Sequence, residues 1–336
     1  MEGSGPTGEC AGTSDCMERA LLDLRTAEAY ESAHLKGSSS LPCSLLLVRM
    51  HEIPPRGTEV GLLGEVREEV AEAQKVLVDR GYLVSDEACF VTDELTLPPP
   101  PPSSSCGCDH GHADHHQDTN KKRPESHDLL SSPWVETGAS SVRLWIPSPL
   151  LNRETDRIES LLASTSAAQG ERVGRALDIG CGSGRDAVFL ALRGWEVLGV
   201  DYLDHQIEKL HGFAQQHGVA DRVKGACMDV EKNNGQELLE AYPEHFDLVS
   251  VARFLHRPLI PDVLAKLTKP GGMVAYHTFM KGSEQFGRPR SPKHLLLPGE
   301  LADNFTRIGW EVIVDSTVAI SDGRPCSFFI ARKPSS

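Results

Sequence analysis

The chain has 336 residues, 39% of them hydrophobic, and a formal net charge of -14, enough apolar material for two domain cores. The acidity sits at the front: residues 1–97 carry 8 Lys and Arg against 18 Asp and Glu, the remainder 26 against 30. A field of that sign repels phosphate backbones and anionic bilayers, which disfavours general nucleic-acid and membrane-surface binding. The nine cysteines follow no regular spacing and their number is odd, which points to reduced thiols rather than a disulfide framework. No basic segment followed by an apolar one opens the chain, and apolar runs such as Leu45–Val48 are far short of a membrane span. The expectation is a soluble, cytoplasmic protein with no membrane partner.

The first expected domain is 1–97. "ALLD" reads as a strand running into Asp23-x-Arg25, followed by a helix and then His34-x-x-Gly37-Ser38 ahead of Pro42. A strand "EVGLL" and a helix ending in "VLVDRGY" (76–82) follow. On these residues, 17–97 resembles the rhodanese-like domain, which implies a small α/β module. Sulfur transfer in that family needs a thiolate in the turn after the "EVGLL" strand, cradled by N–H groups that lower its pKa. The matching position is Gly64, with Glu65, Glu68 and Glu69 beside it. No sulfur stands there, so the module is expected to be inactive; Cys43 and Cys89 lie elsewhere.

Residues 98–132 form a linker. Five consecutive prolines favour polyproline II, and the polar run after them cannot bury enough apolar surface to fold. Within it, "CGCDHGHADHH" (106–116) offers two cysteines and four histidines whose spacing matches no structural zinc site. Weak metal binding is the expectation there, with no defined metal site.

From 133 to 336, strand and helix signals alternate, which argues for a parallel α/β sheet. "RALDIG" (175–180) is a strand, "RDAVFLALRG" a helix stopped by Gly194, and "WEVLGVD" (195–201) the next strand. A helix at 204–217, a strand at 223–230 and a helix near 235–241 follow. Strands "FDLVSVARF" (246–254) and "GGMVAYHTF" (271–279) flank a helix rich in Leu and Lys. A helix near 299–308 and a closing hairpin complete the pattern.

The turn Asp178-Ile-Gly180-Cys-Gly182-Ser-Gly184 leaves a strand and opens a helix. Glycines there permit a tight bend and a ligand's close approach to the main chain, beside free N–H groups at a helix start. Asp201, ending the next strand, stands where nucleotide-binding α/β domains place a ribose acceptor. Arg185 replaces the third glycine of a dinucleotide fingerprint. Asp178 would repel a pyrophosphate but suits an ammonium or sulfonium. The D-x-G-x-G-x-G turn resembles that of class I S-adenosylmethionine-dependent methyltransferases over about 134–333. That resemblance implies a Rossmann-like seven-stranded sheet with helices on both faces. It places Gly180, Gly182 and Gly184 along the methionine and ribose, and Asp178 near the amino end. Asp201 would take the ribose hydroxyls, Tyr202 would lie against the adenine, and Asp229 would accept from the adenine amino group.

The methyl acceptor belongs at the tips of the fourth and fifth strands. Arg253, His256 and Arg257 stand at the first, Tyr276 and His277 at the second. "RFLHRPL" (253–259) and "LLLPGEL" (295–301) resemble a subgroup grouped with tellurite-resistance methyltransferases, although His277 departs from its pattern. His256 is the expected base, since its unperturbed pKa lies near neutrality, with Arg253 and Tyr276 beside it. Arg253, Arg257, Arg288 and Arg290 form an expected cationic mouth for a small anionic acceptor, while Lys293 reads as solvated charge. The reading is methyl transfer to a small molecule, with a thiol or chalcogen acceptor suggested. An RNA methyltransferase and a non-catalytic cofactor-binding adaptor are the alternatives.

Overall fold

The protein is described by a computed structural model over residues 20–85, 89–90, 135–139, 141–163, 173–243 and 245–335. It divides into two compact units between Leu144 and Trp145, later than the start of the second domain expected at residue 133. The linker 98–132 and its Cys/His run lie outside the described residues.

In the first unit, β1 (Ala20–Asp23) leads to α1 (Ala27–Ser32) and two short strands, β2 (His34–Leu35) and β3 (Ser38–Ser40). Next come β4 (Glu59–Gly64), α2 (Arg67–Asp79), β5 (Leu83–Val84), β6 (Cys89–Phe90) and, after the linker, β7 (Val135–Glu136). The parallel sheet runs β3-β1-β4-β5, with β6 also on β4, while β2 pairs antiparallel with β7. Residues 135–136 therefore belong to this unit. Leu22, Leu62, Val60, Val70 and Leu77 fill its core, the alternate face of two strands meeting one stripe of α2.

The Asp23-x-Arg25 signature is a buried ion pair. Arg25 Nε donates to Asp23 Oδ1 at 2.9 Å, and Nη2 donates to Oδ2 and to the Ala33 carbonyl, both at 2.7 Å. This pair ties the end of β1 to the end of α1, and deleting one partner would strand a charge at a cost of about 3–5 kcal/mol. Only Glu65 and Val66 separate β4 from α2. A Cβ on Gly64 would fall 2.6 Å from Val70 Cγ2, so a side chain there would press on the packing of α2.

In the second unit, α3 (Pro149–Ala163) precedes β8 (Arg175–Ile179), α4 (Arg185–Leu192), β9 (Glu196–Asp201), α5 (Asp204–Gln216) and β10 (Val223–Cys227). Then come α6 (Gln236–Ala241), β11 (Phe246–Ala252), α7 (Asp262–Leu267), β12 (Thr268–His277), α8 (Glu300–Arg307), β13 (Glu311–Ala319) and β14 (Pro325–Arg332). The seven-stranded sheet runs β10-β9-β8-β11-β12-β14-β13, with only β14 antiparallel to its neighbours. Helices α3, α4 and α5 cover one face through Ile158, Val188, Leu210 and Phe213; α6, α7 and α8 cover the other through Leu238, Leu264 and Phe305.

The Rossmann-like sheet with helices on both faces is thus as the sequence led us to expect. The differences lie at strand ends. Strand β10 stops at Cys227, leaving Asp229 in the turn beyond it, and β11 stops at Ala252 because Arg253 takes a left-handed conformation, φ 55°. Helix α3 was not foreseen. Trp145, just ahead of it, donates from Nε1 to His217 Nε2 at 3.1 Å, and the Ser148 N–H donates to Asp186 Oδ1 at 2.5 Å. Among the described residues no helix is long and apolar enough to cross a membrane.

Candidate active site

Brought to the carboxyl edge of the sheet are the glycine turn after β8, Asp201 at the end of β9, and the loops after β10, β11 and β12. This edge is where open parallel sheets hold ligands. The β8–β9 crossover point is shaped by hydrogen bonds from the Gly180 and Cys181 N–H groups to the Val200 carbonyl, at 2.8 and 3.0 Å. Asp201 locks the bend further: Oδ2 accepts from Gly182 N–H and Oδ1 from Leu203 N–H, both at 3.0 Å. A carboxylate has about four acceptor positions, so lone pairs remain for two hydroxyls.

The three glycines do different work. Gly182, at φ 53°, would point a Cβ into open space, which is what a ligand's close approach needs. At Gly184, φ 87°, a Cβ would fall 2.1 Å from Leu210 Cδ1, so this glycine serves the contact with α5. At Gly180 a Cβ would lie 3.3 Å from Phe254 Cβ, which packs the loop after β11 onto the turn. Tyr202 is 64% exposed, and its ring is free to stack. Asp229 is exposed, its Oδ1 accepting from Glu231 and Lys232 N–H groups at 3.0 and 3.3 Å.

Among the described residues, three buried side-chain polar atoms have no hydrogen-bond partner: Asp178 Oδ2, Asp186 Oδ2 and His277 Nε2. Buried polar atoms are rarely left so, because each costs its full desolvation penalty. All three stand at this one edge: Asp178 near the end of β8, Asp186 in the first turn of α4 and His277 at the end of β12. Burial, then the charge of Asp186, then that of Asp201 hold the Asp178 carboxyl well above the usual carboxylate range. Two of these unpaired acceptors are acidic and flank the glycine turn, which fits a cationic ligand group. The acceptor chemistry of the site and the open side of Gly182 thus fit S-adenosylmethionine.

On the acceptor side the predicted residues part company. His277 is 1% exposed; its Nδ1 lies 2.9 Å from the Ser327 carbonyl, so Nδ1 carries the proton and Nε2 the lone pair. Burial pulls it down to about 4, the Arg253 charge adding to that and the Ser327 carbonyl opposing it. Arg253 N–H donates to the His277 carbonyl at 2.7 Å, and burial of its guanidinium, with the like charges of Arg185 and Arg324, lowers its pKa. His256 lies on the loop after β11, its Nε2 3.0 Å from Asn234 Oδ1, which makes that nitrogen the donor. Tyr276 is buried on the opposite face of β12 and donates its hydroxyl to the Phe254 carbonyl at 3.1 Å, which places it in the core rather than at the acceptor.

The cationic mouth is smaller than expected. Arg257 is committed to Glu300, at 2.6 Å from Nε and 2.9 Å from Nη2, and to the carbonyls of Lys293 and Leu295. This bidentate pair joins the "RFLHRPL" run to the "LLLPGEL" run, so Arg257 and Glu300 themselves are architectural. Arg288, Arg290 and Lys293 are exposed side chains, and Lys293 is solvated as expected. Sequence reasoning missed Asp186, whose place in a helix's first turn looks like an ordinary helix-start acid. No group of three or more metal-binding side chains occurs among the described residues.

A methyltransferase domain model matches residues 176–272. The chain is 30% identical to the ubiquinone biosynthesis O-methyltransferase of Bordetella avium, over 52% of this chain and 77% of that protein. To the enzyme of the same name from Neisseria meningitidis serogroup A it is 34% identical, over 40% of this chain; it spans only about half of that relative, 54%. The uncharacterized protein UNK4.09 of Schizosaccharomyces pombe is 24% identical over 93% of both chains. Sheet order, glycine turn and strand-end acids define a Rossmann-like enzyme built around an adenosine-containing cofactor. With these relatives, the chain belongs to the class I S-adenosylmethionine-dependent methyltransferases.

Proposed function

We propose that the protein methylates a small molecule bearing an anionic group and an ionisable O–H or S–H. The observation that carries this reading is the convergence of the three unpartnered buried atoms at one sheet edge. When bound, S-adenosylmethionine supplies an electrophilic methyl group on a sulfonium. Gly182 would give the cofactor backbone access, Asp201 would accept from the ribose hydroxyls, and Tyr202 and Asp229 would hold the adenine. Asp178 receives the amino end. Arg253 holds the acceptor's anionic group, and His277 Nε2 takes the proton as the acceptor attacks. His256 stays in reserve as the alternative base, through Nδ1.

The relatives named as O-methyltransferases favour oxygen as the methylated atom. The two runs joined by Arg257 and Glu300 keep the tellurite-type subgroup, and with it a thiol or chalcogen, as the second reading. The first unit acts as a catalytically silent rhodanese-like module, a reading supported by its parallel sheet and the filled position at Gly64. The free thiols of Cys43, Cys181, Cys227 and Cys326 accord with a cytoplasmic setting.

The test incubates the protein with a cell extract and isotopically labelled S-adenosylmethionine, then identifies the labelled product by mass. A small anionic ether or thioether is expected. Label appearing only in RNA would overturn the small-molecule reading, and the methylated atom of the product decides between oxygen and sulfur.

A further inference from the structure

We propose that Asp178 and Asp186 act as one cation-binding pair, sharing a single proton in the free protein and releasing it when they take the ammonium group of S-adenosylmethionine. This rests on the cofactor reading and adds to it a contact residue, Asp186, that the glycine motif does not supply.

The two carboxylates reach the same place from different elements. Asp178 comes from β8 and is 2% exposed; Asp186 comes from the first turn of α4 and is 7% exposed. Each has an Oδ2 atom that meets no donor, and the charge of one acts on the other. The groups around them are few. Asp201, at the end of β9, adds a third negative charge beside Asp178, and the Ala187 N–H at the start of α4 pulls in the other direction. The Cys181 thiol on the turn is held protonated by burial and by these same acids. Asp186 is steadied by the Ser148 N–H ahead of α3, by Arg185 on its own helix and by Arg253 after β11.

Two buried carboxylates with unpaired oxygens cannot both stay ionised, because each lacks solvation and each repels the other. Burial raises Asp186 even against Ser148, Arg185 and Arg253, and raises Asp178 further. One proton therefore resides on the pair. An ammonium group carries three N–H donors, enough to satisfy both orphaned oxygens and to restore both charges. The shared proton then leaves to solvent, and no other bond is made or broken.

The experiment titrates the full chain with S-adenosylmethionine and with S-adenosylhomocysteine by calorimetry, in buffers of different ionisation enthalpy. About one proton released per molecule bound near neutral pH is expected for both compounds, since both carry the ammonium. Affinity should accordingly rise with pH, by up to about tenfold per unit below the pair's own pKa. Asp186→Asn keeps an oxygen for the Ser148 N–H but removes one charge; its proton release and the pH dependence of its affinity should both fall below those of wild type. Asp178→Asn, measured in the same way, should also reduce release. The pair is overturned by a wild-type count of zero, or by undiminished release from Asp186→Asn. Release with the sulfonium compound alone would place the sulfonium there and overturn the ammonium assignment. Absence of binding by either compound would overturn the cofactor reading and the pair together.

Discussion

His256 and His277 stand at neighbouring strand exits and differ in what their rings meet. His256 spends one nitrogen on Asn234 in an exposed loop, whereas His277 holds a lone pair in a dry setting with its other nitrogen fixed by Ser327. Burial holds His277 unprotonated down to about pH 4, which keeps its lone pair open at every physiological pH while making it a weak base. We expect His277→Asn to lower kcat by about 10²-fold, the low end for a weak base, while cofactor affinity stays within about twofold. His256→Ala should lose only a few-fold, a surface hydrogen bond being worth about 1 kcal/mol. Single-turnover rates on the acceptor identified from extract check both. Wild type should be flat between pH 5 and 8, and His277→Asn should instead climb with the acceptor's own ionisation. A larger loss in His256→Ala than in His277→Asn would return the base to His256. Composition and motif could name both histidines but could not rank them. The ranking depends on Ser327, 50 residues away in sequence, and on Phe328, whose ring lies edge-on at 5.0 Å.

At the scale of elements, the turn between β8 and α4 separates packing from binding within five residues. Gly184→Ala must push a methyl into Leu210 and hold a left-handed φ, so α4 and α5 are forced apart. A cost of about 2–4 kcal/mol is expected from overpacking plus backbone strain, read as a fall in thermal midpoint without ligand. Gly182→Ala meets nothing and should cost only about 1 kcal/mol of stability, yet its methyl occupies the open space beside the turn. Cofactor affinity should therefore drop at least tenfold in Gly182→Ala, which calorimetry would show. Equal affinity in wild type and Gly182→Ala would remove the ligand from that side of the turn.

These elements were readable in the sequence because period and punctuation agree: apolar runs bounded by Gly180, Gly194 and Gly218 match β8, α4, β9 and α5 to within a residue or two. Helix α3 was missed although Leu151, Thr155, Ile158 and Leu162 lie at helical spacing on one buried face. Its partners, the sheet strands and the Trp145–His217 contact, are remote in the chain. The Arg257–Glu300 pair escaped for the same reason: 43 residues separate a cation that looked free from the carboxylate that neutralises it.

For the whole second unit, the buried titrating groups pull stability in opposite directions with pH. His277 is lowered from 6.5 to about 4 by folding, so the native state binds fewer protons in that window. The stability it contributes is lost as pH falls from 6.5 towards 4, by no more than about 3 kcal/mol. Asp178 and Asp186 are raised above 3.8, so the free protein is favoured at low pH and loses stability as pH climbs through their folded range. Without ligand the two trends oppose each other, so between pH 4.5 and 6.5 the thermal midpoint should change less than His277 alone would make it. Saturating S-adenosylhomocysteine relieves the acidic pair and leaves the histidine, so the ligand-bound midpoint should rise steadily across the same range. The thermal shift on binding should therefore widen with pH. It should widen less in Asp186→Asn, while His277→Asn should flatten the rise of the bound form. A shift that is constant with pH in wild type would mean that the carboxylates do not change protonation on binding, whatever their charge in the free protein.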